Sequence, residues 1–589
     1  MGSVLLCGYP PDDTRSADHA HSLRHQAAGH GLDIVDLSSC CWVGLGGPRP
    51  PSMLKVGPWI LIGDIIPRRH APVHRISADD PDAYEKKLLA RYWGRYLGVR
   101  LAPSGEVVEA LRDPSGALEC ARWSHQGLTF LASDIPDWLV KRTRPPWRIA
   151  FDRLAAALPA PHLASDLFLD GPEAMAPGTI QPLPTGHSRP LWRPAWIAAD
   201  RSADRLTRPA AERLLREAVE EAVSGLADLG GPLAAEISGG LDSAIVSACL
   251  ANRDGPVPLL WLNSFGPDPA ADEGSFVEAL AARLGISPTR IARQEGSVTR
   301  QDLEAMPHRL RPGLAALDSA HDGEWAKQCR QAGARAVLTG KGGDALLVQP
   351  ASMEVFGDLW RRQGWRSIVS PALPALARLN ERSVWTVLGR AIHPERPRPR
   401  LHPPIPLGPT PPAPVDPHPW LEHLEGLGPA KRTQILGLIH SLTFHGPSLQ
   451  TQAVEVLHPL LAQPVVEACL ALSTPQLTAG RRDRALARAA FADRLPPEIL
   501  ERRSKGEMTA FYGRMIGRSL YVLRPWLLEG RLADKGVIDR ATVEALLTRE
   551  SLAWRGGYVE IMTAAAFEGW VRAWEARLPV TGPSPDRAR

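Results

Sequence analysis

Between residues 209 and 339, short apolar runs alternate with stretches of helical periodicity, and that alternation constrains the fold more than any other feature. From Pro209 to Ala227 the apolar spacing is helical. Pro232–Ile237 is an apolar run too short for a helix, and helical periodicity resumes over Ser243–Ala251. A second run, Val257–Phe265, precedes the amphipathic segment Glu273–Leu284, and a third, Ala334–Thr339, follows the helical stretch Glu324–Ala332. Strands separated by helices cannot pair as hairpins, so the pattern predicts a parallel sheet with crossover helices. Residues 1–190 read differently. Strand-like runs such as Ser3–Cys7, Trp59–Ile62 and Leu128–Ala132 are separated by Gly, Pro and Asp turns, which predicts a β-rich unit. Residues 191–206 lack periodicity and read as a linker. The remaining domain, 207–589, becomes helix-rich after His418 and carries an insertion at 394–419 with twelve prolines, which cannot sustain helix or ladder. The expected class is α/β: an α+β N-terminal unit, then a parallel-sheet domain with a helical C-terminal part.

Composition narrows the function classes. The net charge of +4 comes from 68 basic and 64 acidic residues, which excludes a polycationic coat for nucleic acid. The longest apolar run, Trp59–Ile66, is too short to span a bilayer and reads as a buried strand. The start shows neither a basic n-region nor a long apolar run, so no secretory signal is expected. Seven scattered cysteines with no CxxC pair suggest reduced thiols in a cytoplasm. Only nine of the basic residues are lysines, so the positions of those few carry some information.

Two glycine-rich loops carry the chemistry. Ser238-Gly239-Gly240-Leu241-Asp242-Ser243 lies between an apolar run and a helix. Its glycines let successive N–H groups face one anion, the helix N-terminus adds positive potential, and the serines add hydroxyl donors. Asp242 beside a phosphate implies a cation between them, so Mg2+ is expected. Thr339-Gly340-Lys341-Gly342-Gly343-Asp344 follows another apolar run about a hundred residues later. In a parallel sheet both loops leave the same edge, where they are placed to hold the two ends of one Mg-triphosphate. Neither is a Walker A loop.

These loops resemble the ATP-pyrophosphatase domain of the asparagine synthetase family. The resemblance extends to His458-Pro459-Leu460-Leu461, to Gly480–Arg488 with Arg484 where the family has lysine, to Leu495–Ile499 and to Arg503-Ser504-Lys505-Gly506. In the first unit, Trp93–Tyr96, Arg112–Gly116, Phe130–Asp134 and Leu183–His187 resemble landmarks of the family's Ntn-type glutamine amidotransferase domain. The resemblance implies an acyl-adenylate made from ATP with release of pyrophosphate, attack by an amine, and departure of AMP. It implies that Ser238, Gly239, Gly240, Ser243, Gly340, Gly342 and Gly343 bind phosphates and that Asp242 and Asp344 hold Mg2+. Adenine would lie along the strand containing Leu262 and Ser264. Lys505 would neutralise charge on adenylate and pyrophosphate, and Lys341 would suit pyrophosphate.

Departures from the family pattern narrow the reading. Glutamine-using members need a cysteine exposed after Met1 is removed; here the residue is Gly2 and the first cysteine is Cys7, so the N-terminal unit reads as a retained scaffold. β-Lactam synthetases place a tyrosine where Lys341 stands, and no tyrosine occurs between Tyr96 and Tyr512. Lasso peptide cyclases, which lack the nucleophilic cysteine, fit better. That resemblance implies a precursor peptide whose Asp or Glu side chain is adenylated and closed into a macrolactam by its N-terminal amine. It also implies a leader peptidase and a leader-binding protein as partners, with no nucleic acid and no membrane. The proline-rich segment and Trp360, Trp365, Trp385 and Trp420 offer a peptide entrance. Two alternatives stand beside it: a ligase acting on a small-molecule carboxylate, and a non-catalytic scaffold in a peptide-maturation complex. His440 and His445 read as structural histidines on a helix rather than as bases for the amine.

Overall fold

The computed structural model describes residues 2–72, 80–266, 273–294, 296–314, 318–349, 351–394, 405–409, 417–479, 482–503 and 509–579, with backbone alone at 509–510 and 553–555. The N-terminal unit is built from two six-stranded antiparallel sheets. In the first, Ser3–Gly8 lies between Cys41–Gly46 and Leu128–Ala132, with Leu6 opposite Val43 on one side and Leu131 on the other. In the second, Trp59–Pro67 pairs with Tyr92–Leu101. The period-2 alternation of a strand sorts the side chains. Val4 and Leu6 enter a cluster with Ile62, Leu97 and Val99 of the facing sheet, while Leu5 and Cys7 pack with Ala20 and Leu23 of the helix Thr14–Gly29. Cys40 and Cys41 fall into these two different clusters, and both are buried free thiols.

The second unit contains a five-stranded parallel sheet: β1 (Leu233–Glu236), β2 (Leu260–Phe265), β3 (Pro288–Ala292), β4 (Ala336–Leu338) and β5 (Glu455–Leu457). The order is β3-β2-β1-β4-β5. The predicted strands become β1, β2 and β4, and the predicted helices become Arg208–Gly230, Leu241–Ala251, Gly274–Leu284 and Ser319–Ala332. Strand order reverses between β1 and β4, so a crevice opens past their C-terminal ends, where ligands of open α/β sheets bind. The α/β class expected from the sequence is the class observed.

The two units share one apolar cluster. Trp93 lies against Gly225 of the helix Arg208–Gly230, so close that a Cβ there would come within 2.7 Å of the indole. Buried charges cross the junction as pairs: Arg68 with Glu467 at 2.7 Å, and Arg95 and Arg49 with Glu455 at 3.3 and 2.8 Å. Residues 191–206, read as a linker, form the helix Pro194–Ala199 and a 3-10 turn at Ser202–Arg205, and they bury Leu191, Trp192, Ile197 and Ala203. Their spacing hid this because each element is a turn or two long. Of the proline-rich segment 394–419, residues 395–404 and 410–416 lie outside the described residues. No helix among the described residues is long and apolar enough to cross a membrane.

Candidate active site

The two glycine-rich loops leave the C-terminal ends of β1 and β4 and interlock. A Cβ on Gly340 would lie 2.4 Å from the backbone nitrogen of Ser243, and one on Gly343 would lie 2.4 Å from the carboxyl carbon of Asp242. Only glycine permits this approach, and Gly342 in addition has a φ of +94°. The first loop is held by its own serines. Ser238 Oγ and Ser243 Oγ are 2.7 Å apart, Gly240 N–H donates to Ser238 Oγ at 3.1 Å, and Ser238 N–H donates to Ser243 Oγ at 3.2 Å. Gly239 N–H donates to Glu273 Oε2 at 3.1 Å, and the other oxygen of Glu273 pairs with Arg502 at 2.7 Å. On the second loop, Lys341 N–H donates to Thr339 Oγ1 at 3.3 Å, and that hydroxyl meets His458 Nδ1 at 2.7 Å. Burial pushes the His458 pKa well below the ordinary histidine value, so the ring is neutral.

Both loops open on a cavity of about 900 Å³. Its wall includes Ser238, Gly240, Asp242, Ser243, Gly340, Lys341 and Asp344. Six arginines stand in the rest, Arg378, Arg482, Arg484, Arg488, Arg502 and Arg503, against the two acidic residues Glu236 and Asp483. Such a surface suits a polyanion with several phosphates. The Lys341 ammonium lies 5.4 Å from the centre of the Phe444 ring. Leu262 and Ser264 lie on β2 but outside the wall of this cavity. The Leu262 carbonyl accepts from Ile237 N–H at 2.9 Å, and the Ser264 hydroxyl accepts from the Trp325 indole at 2.8 Å. Lys505 lies outside the described residues.

The sequence placed Arg484 in a family segment without giving it a role, and in the structure it connects the two aspartates. Its Nη1 lies 3.0 Å from Asp242 Oδ2 and 3.2 Å from Asp344 Oδ1, and its Nε and Nη2 both lie 3.2 Å from Asp483 Oδ2. Burial works against this charge, but Asp242, Asp344 and Asp483 outweigh it and raise the arginine pKa above its ordinary value. Arg488 anchors the same wall: it donates to the carbonyls of Ile499 and Leu500, each at 2.9 Å, and to Asp483 at 2.9 Å. The available signal was the resemblance of 480–488 to a family segment; what it lacked was the pairing, which joins residues 242 and 140 positions apart.

The donor set fits Mg2+. Asp242 and Asp344 face one cavity and supply hard oxygen ligands, and Mg2+ commonly takes one or two carboxylates with its remaining positions filled by water and phosphate. No cluster of three or more His, Cys, Asp or Glu suited to a metal occurs among the described residues.

The N-terminal unit offers no activated thiol. A side chain on Gly2 would meet Pro51 Cδ at 2.7 Å and the Arg49 carbonyl at 2.9 Å. All seven cysteines are buried, and burial raises the Cys7 thiol well above its ordinary pKa. His440 and His445 stay away from the nucleotide-sized cavity. His440 makes an edge contact with His162 at 4.7 Å, and His445, pushed down to about 3 by burial, lines a separate cavity of about 170 Å³ between the two units. His445 belongs to a 3-10 turn, Leu442–His445, that follows the helix carrying His440.

A family model described as asparagine synthase matches residues 214–572. The matched span runs from within the helix Arg208–Gly230 to within the helix Tyr558–Arg577, so it takes in the whole parallel sheet and both loops. No curated protein matches the chain.

Proposed function

The chain belongs to the asparagine synthase family, whose chemistry is ATP-dependent carbon–nitrogen ligation, and from that premise we propose that it closes a macrolactam in a precursor peptide. In this reading an Asp or Glu side chain of the peptide attacks the α-phosphate of ATP and pyrophosphate leaves. The peptide's N-terminal amine then attacks the acyl-adenylate, an amide bond forms, and AMP leaves. The observation that carries the reading is the pair of interlocked glycine-rich loops whose aspartates face one large basic cavity.

Each group has a distinct task. Ser238, Gly239, Gly240 and Ser243, at the N-terminus of the helix Leu241–Ala251, are the donors for phosphate oxygens in this reading, which exchange for the bonds they make within the loop and to Glu273. Gly340, Gly342 and Gly343 let the second loop approach the same anion. Asp242 and Asp344 hold Mg2+, which when bound would neutralise the phosphates and polarise the bond to the leaving pyrophosphate. Lys341 and Lys505 add point charges for pyrophosphate and adenylate, and Leu262 and Ser264 mark the strand beside the adenine. Catalysis of this kind works by positioning and by fixed positive charge, and the arginine-rich wall supplies both.

An amine source other than ammonia released from glutamine is supported by the burial of all seven cysteines and by the crowding around Gly2. Exposed tryptophans on a segment that also supplies part of the cavity wall support a peptide too. Trp365 and Trp385 stand 72% and 76% exposed on the helical segment 354–392, whose Ala375, Arg378 and Leu379 line the cavity. Trp420, by contrast, is a core residue packed on Trp192. A leader peptidase and a leader-binding protein complete this reading as partners.

The test is direct. Purified protein, Mg-ATP and a leader-free precursor should yield AMP, pyrophosphate and a peptide lighter by one water. Formation of ADP would overturn adenylation, and turnover of free aspartate with ammonia in place of the peptide would make the substrate a small molecule. Asp242→Ala and Asp344→Ala should each abolish turnover while keeping the wild-type circular dichroism spectrum, Asp242→Ala with a lowered unfolding midpoint because it strips a partner from buried Arg484. Full activity in either would remove that residue from the metal site.

A further inference from the structure

The guanidinium of Arg484 occupies the space between the two carboxylates assigned to the metal. One nitrogen, Nη1, is shared between Asp242 at 3.0 Å and Asp344 at 3.2 Å, while the opposite edge is held by Asp483. This is no loose surface pair. The Arg484 side chain is 9% exposed and that of Asp242 12%, while Asp344, at 46%, is the side open to the cavity. The backbone is committed as well. Arg484 has a φ of +49°, Val348 has a φ of +60°, and the Arg484 N–H donates to the Val348 carbonyl at 3.4 Å. Left-handed backbone is rare for arginine and rarer for a β-branched valine, and two such residues bonded to each other mark a place where the surrounding structure imposes the geometry.

On the reading that Asp242 and Asp344 form the metal site, we propose that Arg484 is a resident counter-ion that excludes free Mg2+ and admits it only together with a triphosphate. The physical basis is charge accounting in a poorly solvated place. A free divalent cation arriving at these carboxylates must displace the guanidinium, which leaves a buried positive charge beside the incoming one, with Asp483 as its remaining partner. A Mg-triphosphate brings its own oxygens. The planar guanidinium binds phosphate as well as carboxylate, so Arg484 turns from the aspartates to the phosphate chain as the metal takes its place. Arg488, which shares Asp483, stays fixed to the carbonyls of Ile499 and Leu500 and keeps the pivot in position. The exchange makes metal and nucleotide binding cooperative: neither MgCl2 alone nor ATP alone satisfies every charge, and the pair does.

Isothermal titration calorimetry on the full-length protein tests this with MgCl2 alone, ATP with EDTA, and Mg-ATP. Wild type should bind Mg-ATP and show free-Mg2+ binding at least roughly tenfold weaker than Arg484→Gln. The variant should gain affinity for MgCl2 alone and lose affinity for Mg-ATP. Arg484→Lys, which keeps the charge but not the fork, should fall between the two, and circular dichroism checks that both variants are folded. If wild type binds MgCl2 alone as tightly as Arg484→Gln does, the counter-ion role is wrong, although the adenylating function stands as long as Mg-ATP binds. If wild type fails to bind Mg-ATP at all, both the counter-ion role and the proposed function fall. Should neither variant fold, wild type decides alone: tight binding of MgCl2 without nucleotide overturns the proposal, and binding that requires ATP supports it.

Discussion

Gly340→Ala is the sharpest probe of the interlocked loops. The added methyl carbon would lie 2.4 Å from Ser243 N and 2.6 Å from Ser243 Cα, both backbone atoms at the N-terminal turn of the helix Leu241–Ala251. Ordinary contact needs at least 3.4 Å, so one loop must retreat by roughly 1 Å, and no rotamer change relieves the clash. Overpacking of this kind costs about 1–3 kcal/mol of stability. The larger effect falls on rate, because a phosphate-binding loop misplaced by about 1 Å loses on the order of a hundredfold in catalysis. The measurement is pyrophosphate release under saturating Mg-ATP and peptide, paired with a urea unfolding curve to separate rate from stability. Gly389→Ala is the control. Gly389 sits inside the helix Val384–Ile392 with nothing within 4 Å of its Cβ position, so alanine there should stabilise by up to about 1 kcal/mol and leave the rate unchanged. A Gly340→Ala protein within roughly twofold of the wild-type rate would refute the contact between the loops as a condition of catalysis.

Two further outcomes follow from buried charge. Arg68→Ala should destabilise the protein by about 3–5 kcal/mol in urea unfolding, because Glu467, 1% exposed, would keep only the Trp192 and Gln463 donors; a loss below about 1 kcal/mol would show that the pair across the units is inert. Burial pushes the Asp322 carboxyl from 3.8 to about 7, so between those values the folded chain holds a proton that the unfolded chain releases. Stability from this group is therefore full below pH 3.8 and falls as pH rises through 7. Asp322→Asn should match wild type near pH 4 and exceed it by up to roughly 4 kcal/mol near pH 8, and a difference that does not change with pH would overturn the assignment.

The sequence was legible where structure is local. β1, β2 and β4 announced themselves because each is an apolar run ahead of a glycine-rich turn or helix, and a period of two or 3.6 is a property of neighbouring residues. β3 and β5 did not. β3 starts at Pro288 and carries Arg290, and β5 is three residues long, so each becomes a strand only because an edge of the sheet offers it a partner. The helix at Pro194–Ala199 was hidden in the same way, being too short to show a period and ordered by burial of Ile197 and Ala198.

The same division runs through the site. Ser238–Ser243 and Thr339–Asp344 were readable because a backbone that cradles an anion needs glycines in sequence order. Glu273 and Arg502 were not, and Arg484 and Arg488 were legible only as members of the segment 480–488, because their roles consist of partners far along the chain: Glu273 with Gly239 and Arg502, and Arg484 with Asp242 and Asp344. An arginine in an arginine-rich sequence carries no mark of which carboxylate it will meet. The lysine count pointed toward Lys341 as a rare charge at the site, whereas most of the cavity's positive potential comes from the common residue, arginine. That choice has a chemical consequence. A lysine between Asp242 and Asp344 would be a single point charge, whereas the Arg484 fork holds two carboxylates with one nitrogen and a third with its other edge. Arg484 therefore links the aspartates to the wall that carries Asp483 and Arg488 through one continuous set of ion pairs.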